Sequence, residues 1–182
     1  LWRADSGLYA VTSTGEVMIL DAASRLRSVA WIDGGAPLLA LYGFGDDQLV
    51  AVGGTGVYEG GTDGGFARVP GLDASFSDVH GSGSSVWAVG LGETLVQRSR
   101  DGGWTTITGG PPGNYLGVWL ESPNAGWIVG GGGLIVRVVN DTVIPPPARL
   151  SDNNLHDVWG FGPADVWAVG EGGVLLHWQG AV

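Results

Sequence analysis

Short apolar runs recur along the chain, each closed after a few residues by Gly, Asp, Asn or Pro. Near the C-terminus the order is Leu155-His156-Asp157-Val158-Trp159-Gly160, then Asp165-Val166-Trp167-Ala168-Val169-Gly170, then Gly173-Val174-Leu175-Leu176-His177-Trp178. Runs rich in Val, Leu, Ile and Trp and bounded by turn formers read as β-strands. Val86-Trp87-Ala88-Val89 is too short for a helix and too apolar for a solvated edge, so it predicts a central strand buried on both faces. A fourth run, seen around Trp104–Ile107 and Arg25–Trp31, completes a set of four antiparallel strands, a to d.

The set repeats. An aromatic slot in strand a falls at Trp2, Tyr42, His80, Trp119 and Trp159, with steps of 40, 38, 39 and 40. A valine closing strand b falls at Val11, Val52, Val89, Val129 and Val169, with steps of 41, 37, 40 and 40. Two independent anchors thus agree over five copies, approximately 1–36, 37–73, 74–113, 114–153 and 154–182. A period near forty with four short strands per copy predicts an all-β fold, a single β-propeller domain with one blade per repeat. The last copy lacks its strand d. It closes with three strands, or the segment beginning Leu1-Trp2 pairs with it, or the chain is part of a longer propeller. The start at Leu1 fits a chain from which something was removed or a piece of a longer protein.

Composition narrows the function. Gly, at 35 residues in no fixed register, fits many tight turns. Lysine is absent, and 18 acidic against 8 basic residues give a net charge of −10. That balance opposes binding to nucleic acid, which needs phosphate neutralisation, and to anionic membrane surfaces. It also removes the Schiff-base lysine and the phosphate-loop lysine. Cysteine is absent, which excludes disulfides, thiolate catalysis and Cys-ligated zinc. No apolar run is long enough to span a membrane, and no signal peptide is present in the chain.

The phrase VWGFGPADVWAVGEGGVLLHW, Val158 to Trp178, resembles the repeats of large propeller-like surface proteins and lipoproteins of myxobacteria and related high-GC bacteria. Ser99-Arg100-Asp101-Gly102-Gly103-Trp104 resembles an Asp-box turn of sialidases and photosystem assembly propellers with one residue missing, and Thr62-Asp63-Gly64-Gly65-Phe66 is a weaker version. The resemblance implies a propeller with recognition or assembly roles on a bacterial surface or in an extracellular setting. It carries over no active site.

The candidate residues divide by position. Asp63 and Asp101 are expected to tie c–d turns through side-chain to backbone bonds. Asp46, Asp47 and Asp165 read as a–b turn residues. Trp87, Trp127 and Trp167 share a strand b slot and Trp119 and Trp159 a strand a slot, so all five are expected between blades. Trp31 and Trp178 lie on outer strands. His80, His156 and His177 form no metal-ligand spacing, and the Gly130–Gly133 run reads as a b–c turn rather than a phosphate loop. The eight arginines are scattered, with Arg98 and Arg137 in strand c. No catalytic set, metal or cofactor is expected.

Strands run up and down within a blade, so the b–c and d–a loops share one side. The d–a loops differ most between copies: Gly34 to Pro37, Pro70 to Ser75, Gly109 to Tyr115 and Ala148 to Asn154. Loops on a rigid scaffold carry function. The candidate ligand-binding residues are therefore Asp73, Asn114, Tyr115, Asn153, Asn154 and His156, with Glu93 and Glu171 from b–c loops. The expected partner is a protein or a carbohydrate. The alternatives are a sialidase-like glycoside-acting enzyme, which would need paired carboxylates or an arginine cluster, and a structural segment of a larger multi-domain surface protein.

Overall fold

In the computed structural model, residues 1–32, 34–144 and 150–180 are described. Their contacts fall into two compact units, Leu1–Val79 and His80–Val182.

Five antiparallel sheets follow the five repeats. The first holds β1 (Trp2–Ala4), β2 (Gly7–Val11), β3 (Glu16–Asp21) and β4 (Leu26–Trp31). The second holds β5 (Leu38–Gly45), β6 (Gln48–Gly53), β7 (Gly56–Gly61) and β8 (Gly65–Arg68). The third holds β9 (Phe76–Ser82), β10 (Ser85–Gly90), β11 (Leu95–Arg98) and β12 (Trp104–Thr106). The fourth holds β13 (Tyr115–Ser122), β14 (Ala125–Gly130), β15 (Leu134–Val139) and β16 (Thr142–Ile144). The fifth holds β17 (Leu155–Gly162), β18 (Asp165–Gly170) and β19 (Leu175–Trp178). Strand order within each sheet follows the chain, so every connection is a hairpin. The segment beginning Leu1-Trp2 belongs to the first sheet, as Trp2 pairs with Tyr9. Among the described residues the fifth sheet contains three strands.

Register agrees with the repeat in the second, fourth and fifth sheets, where the anchor valines Val52, Val129 and Val169 lie opposite Ala40, Gly117 and Asp157, each two residues before the aromatic slot. Tyr42 lies opposite Val50, Trp119 opposite Trp127 and Trp159 opposite Trp167. Because side chains alternate across a strand, each sheet has two apolar faces, and neighbouring sheets of one unit bury one face of each. In the first unit, Tyr9, Val17 and Ile19 of the first sheet pack on Leu41, Leu49, Ala51 and Tyr58 of the second. In the second unit, Trp87, Val89 and Leu95 of the third sheet pack on Val118, Leu120, Ile128 and Val136 of the fourth. Trp119, Trp127 and Val129 of the fourth pack in turn on Leu155, Val158, Val166 and Ala168 of the fifth.

The hairpin ends are built by local chemistry. Asn140 and Asp141, both at positive φ, form the two-residue turn between paired Val139 and Thr142, the geometry that matches strand twist. After β14 and β18 the chain makes a single 3-10 turn, Gly131–Gly133 and Glu171–Gly173. The sequence reading of the glycine run as a b–c turn therefore holds. A Cβ on Gly133 would come 1.7 Å from the Ser151 carbonyl oxygen, so only glycine fits there.

Candidate functional site

The loops that precede β13 and β17 meet the turns that follow β10, β14 and β18, and two asparagines make the junctions. The Gly92 N–H donates to the Asn114 side-chain oxygen at 3.1 Å, and the Gly132 N–H donates to that of Asn154 at 2.8 Å. Asn114 and Asn154 sit one repeat apart. Each satisfies an amide in a tight turn of the preceding blade that no strand partner can reach, so both act as inter-blade latches. Sequence reasoning placed them on the ligand face but missed this role. The signal was their identical position in consecutive repeats.

Four of the eight candidates gather at the fifth blade. Asn154 Nδ2 donates to Glu171 Oε1 at 3.0 Å, and His156 Nε2 lies 3.4 Å from the same oxygen. Asn153 Nδ2 donates to the Glu171 carbonyl at 3.2 Å, and the Asn153 N–H donates to Ser151 Oγ at 3.0 Å. The His156 and Glu171 side chains are about half exposed. The other Glu171 carboxylate oxygen has no partner among the described residues. The cluster thus holds a carboxylate, an imidazole and a primary amide in fixed relation at the surface.

The remaining candidates stand apart from it. Tyr115 is a core residue, not a loop contact: it is fully buried and its hydroxyl donates to the Pro111 carbonyl at 3.0 Å. Burial raises its pKa, with the Glu93 charge adding to the effect. The Glu93 backbone, at φ 65°, donates to the Gly113 carbonyl at 2.7 Å while its side chain is exposed. Asp73, in the first unit, pairs with Arg68 at 2.7 Å. The Ala148 end of the last d–a loop, with Arg149, lies outside the described residues.

The a–b turn acids are more than turn formers. Asp46 accepts the Tyr9 hydroxyl at 2.8 Å and the Ser6 hydroxyl, both from the neighbouring blade. Asp165 accepts Trp167 Nε1 at 2.9 Å and lies 2.7 Å from His177 Nε2. His177 stacks on Trp167 at 3.7 Å between ring centroids. Of the two c–d turn acids expected to bond the backbone, Asp101 does so, whereas the Asp63 side chain makes no such bond among the described residues. Asp101 is bound by the Ser99 hydroxyl and by the Gly103 N–H, in that order of effect, and these hold its carboxyl below the usual range. Asp21 does the same work in the first blade, accepting the Arg25 and Ala23 N–H groups at 3.0 and 2.9 Å, although that turn carries no Asp-box pattern.

The tryptophan slots are graded rather than uniform. Trp87, Trp119 and Trp127 are buried, as expected. Trp159 is 53% exposed and Trp167 half-buried, which corrects the expectation that all five lie between blades. A side chain is covered only where a neighbouring sheet packs on its face, and repeat position alone does not supply that sheet. Trp178 covers Trp127, ring centroids 5.4 Å apart. Beside them a cavity of about 200 Å³ is lined by Trp127, Ile135, Leu150, Leu176 and Trp178. Arg137 lies over the Trp127 ring at 5.6 Å and pairs with Glu121 at 3.2 Å. His80, in its aromatic slot, accepts the Leu120 N–H on Nδ1 at 3.1 Å and meets Trp159 edge-on at 5.5 Å. Burial lowers its pKa to about 4.

No protein-family profile matches the chain, and no curated protein sequence does. Solved structures do. The WD40 β-propeller domain of Doa1 matches with a TM-score of 0.77 at 13% identity, over 96% of this chain and 62% of that one. YCF48 from Cyanidioschyzon merolae matches with a TM-score of 0.71 at 16% identity, over 94% and 65%. A catalytically inactive virginiamycin B lyase from Staphylococcus aureus matches with a TM-score of 0.68 at 12% identity, over 97% and 70%. The chain spans about three fifths of the length of the first-matching WD40 chains. At these identities the likeness concerns the fold, which is a β-propeller with five blade sheets.

Proposed function

We propose that the protein is a non-catalytic recognition scaffold that binds a protein partner through the loop side of its fifth blade. The observation that carries this reading is the half-exposed cluster of Glu171, His156 and Asn153, held in place by Asn154. It offers a partner one free carboxylate oxygen and a hydrogen-bonding imidazole on rigid supports. Preorganised polar groups of this kind lower the ordering cost of binding. The apolar cavity beside Trp127 and Trp178 favours a protein over a carbohydrate, because its lining suits an aliphatic or aromatic side chain.

Five carboxylates elsewhere support the non-catalytic reading. Asp46, Asp165, Glu121, Asp21 and Asp101 are each engaged by hydroxyl, indole, guanidinium or backbone donors that serve packing or turns. The sialidase-like enzyme is the second reading and rests on the Asp-box resemblance alone. A setting on a bacterial surface or outside the cell rests on the resemblance of the Val158–Trp178 phrase to surface-protein repeats.

Immobilised protein probed with partner extracts and a glycan array tests the reading. The expected result is a protein ligand retained by the wild type and lost with Glu171→Gln, which keeps the size and removes the charge. Hydrolysis of a glycoside by the wild type, with no retained ligand, contradicts it.

A further inference from the structure

A second cavity, of about 240 Å³, lies within the first unit, where strand d of the first sheet meets the a–b and c–d turns of the second. Its walls are polar: Ser6, Tyr9, Arg27, Asp46, Thr62 and Asp63, with Val29 as an aliphatic patch. The volume is that of about eight waters at about 30 Å³ each, enough for a small polar molecule. One carboxylate is held in advance. Asp46 Oδ1 accepts the Ser6 and Tyr9 hydroxyls, and the Asp46 carbonyl accepts the Thr62 N–H at 3.2 Å. Tyr9 is fully buried, so it holds Asp46 from a rigid base. The second Asp46 oxygen has no partner among the described residues.

Two further charges face the same space. Tyr9 pairs with Ile19 and Ile19 with Arg27, and residues of one cross-strand row share a sheet face. Arg27 therefore projects on the side of Tyr9 and Asp46. Burial raises the Tyr9 pKa, and the Arg27 charge is near enough to oppose that rise. Yet among the described residues Arg27 makes no ion pair or hydrogen bond, and neither does the Asp63 side chain. Both are exposed. Opposite charges that line one cavity without pairing leave the space between them for a molecule that bridges them.

We propose that this cavity binds a small dibasic amino acid, with one ammonium on Asp46, the other on Asp63 and the carboxylate on Arg27. Two carboxylates and one guanidinium complement two ammonium groups and one carboxylate charge for charge, and charge-assisted hydrogen bonds are the strong ones. Val29 suits the methylene stem between the charges. The net charge of −10 draws a ligand of net positive charge. A neutral sugar leaves these charges unanswered, and the aromatic ring of the lining, Tyr9, is buried and offers it no open face. The site is distinct from the Glu171 cluster and does not rest on the function proposed for that cluster.

Titration calorimetry of the whole chain with L-lysine and L-ornithine tests the proposal. Cadaverine, which lacks the carboxylate, Nα-acetyl-L-lysine, which lacks the α-ammonium, and glucose are the comparators. The variants are Arg27→Gln and Asp63→Asn, both at exposed side chains, with thermal melts to show that they fold as the parent does. The expected result is a Kd of about 1 mM or tighter for lysine or ornithine. Arg27→Gln should weaken that amino acid at least about tenfold while binding cadaverine as tightly as the parent does or more tightly, because only the amino acid uses the guanidinium. Asp63→Asn should weaken both. Nα-acetyl-L-lysine should bind at least about tenfold more weakly than lysine. Glu171→Gln should leave lysine binding unchanged, so this site and the fifth-blade cluster stand or fall separately. No heat with either amino acid up to about 10 mM overturns the proposal, as does equal loss of lysine and cadaverine in Arg27→Gln. Binding of glucose in place of lysine overturns it. So does binding of Nα-acetyl-L-lysine equal to that of lysine, since the ligand is then the C-terminal lysine of a peptide.

Discussion

Acidification should destabilise this protein through His80 in a defined window. Burial lowers the pKa of His80 to about 4 from the ordinary 6.5. The Leu120 N–H also occupies the Nδ1 lone pair at 3.1 Å, so a second proton would have to break that bond. The folded state holds the neutral ring while the unfolded chain takes up a proton near pH 6.5. The stabilising effect is therefore complete above pH 6.5 and is lost progressively as pH falls toward 4. Each pH unit of difference carries about 1.4 kcal/mol, so the full loss is about 3 kcal/mol. Against a total stability of about 5–15 kcal/mol this is a large fraction. Urea unfolding at steps from pH 7 to pH 4 measures it, with His80→Gln as the reference. The Gln amide can accept the Leu120 N–H and does not titrate. Other groups contribute equally to both proteins, so the difference between the two profiles isolates His80. Parallel profiles across pH 6.5 to 4 would mean that folding does not hold the His80 ring neutral.

Three further outcomes follow from the packing. Trp87→Ala should cost about 3–5 kcal/mol, the range for truncating a fully buried Trp, whereas the half-buried Trp167→Ala should cost about half as much or less; paired thermal melts check the order. Gly160→Ala should destabilise by about 1–3 kcal/mol because its Cβ meets the Trp119 ring, and the effect should shrink in a Trp119→His background, as a double-mutant cycle reads directly. Asn154→Ala should cost about 1–3 kcal/mol by leaving the Gly132 amide without its acceptor, and amide exchange at Gly132 should quicken in step.

Much of the fold was legible because a repeat states it five times. The steps between Trp2, Tyr42, His80, Trp119 and Trp159 fixed the strand register, and the pairing of Trp119 with Trp127 and of Trp159 with Trp167 follows it. What a repeat cannot state is its own context. Trp159 and Trp119 are equivalent in sequence, yet one is exposed and the other buried, because burial depends on the sheet that lies against each. The site was legible only in part for a related reason. A residue in or just after a d–a loop can face solvent, as His156 does, latch the preceding blade, as Asn114 does, or turn into the core, as Tyr115 does. Composition and loop position do not separate these three outcomes. The matching of Trp119 with Gly160 and of His80 with Leu120 lay in the sequence as well, but it links residues about forty apart and needed the sheet contacts to show which positions oppose each other.

The aromatic slots are inter-blade packing, filled where a neighbouring sheet lies against them and open where none does. Hydrogen exchange of the nine tryptophan indoles in one dilute sample tests it most directly. Trp87 and Trp127, whose indole nitrogens are buried, should exchange slowest, near the rate of global unfolding. Trp31 and Trp159 should exchange fastest, with Trp178 closer to them than to Trp87. Fast exchange at Trp87, or protection of Trp159 equal to that of Trp127, would contradict this assignment of the slots to inter-blade packing.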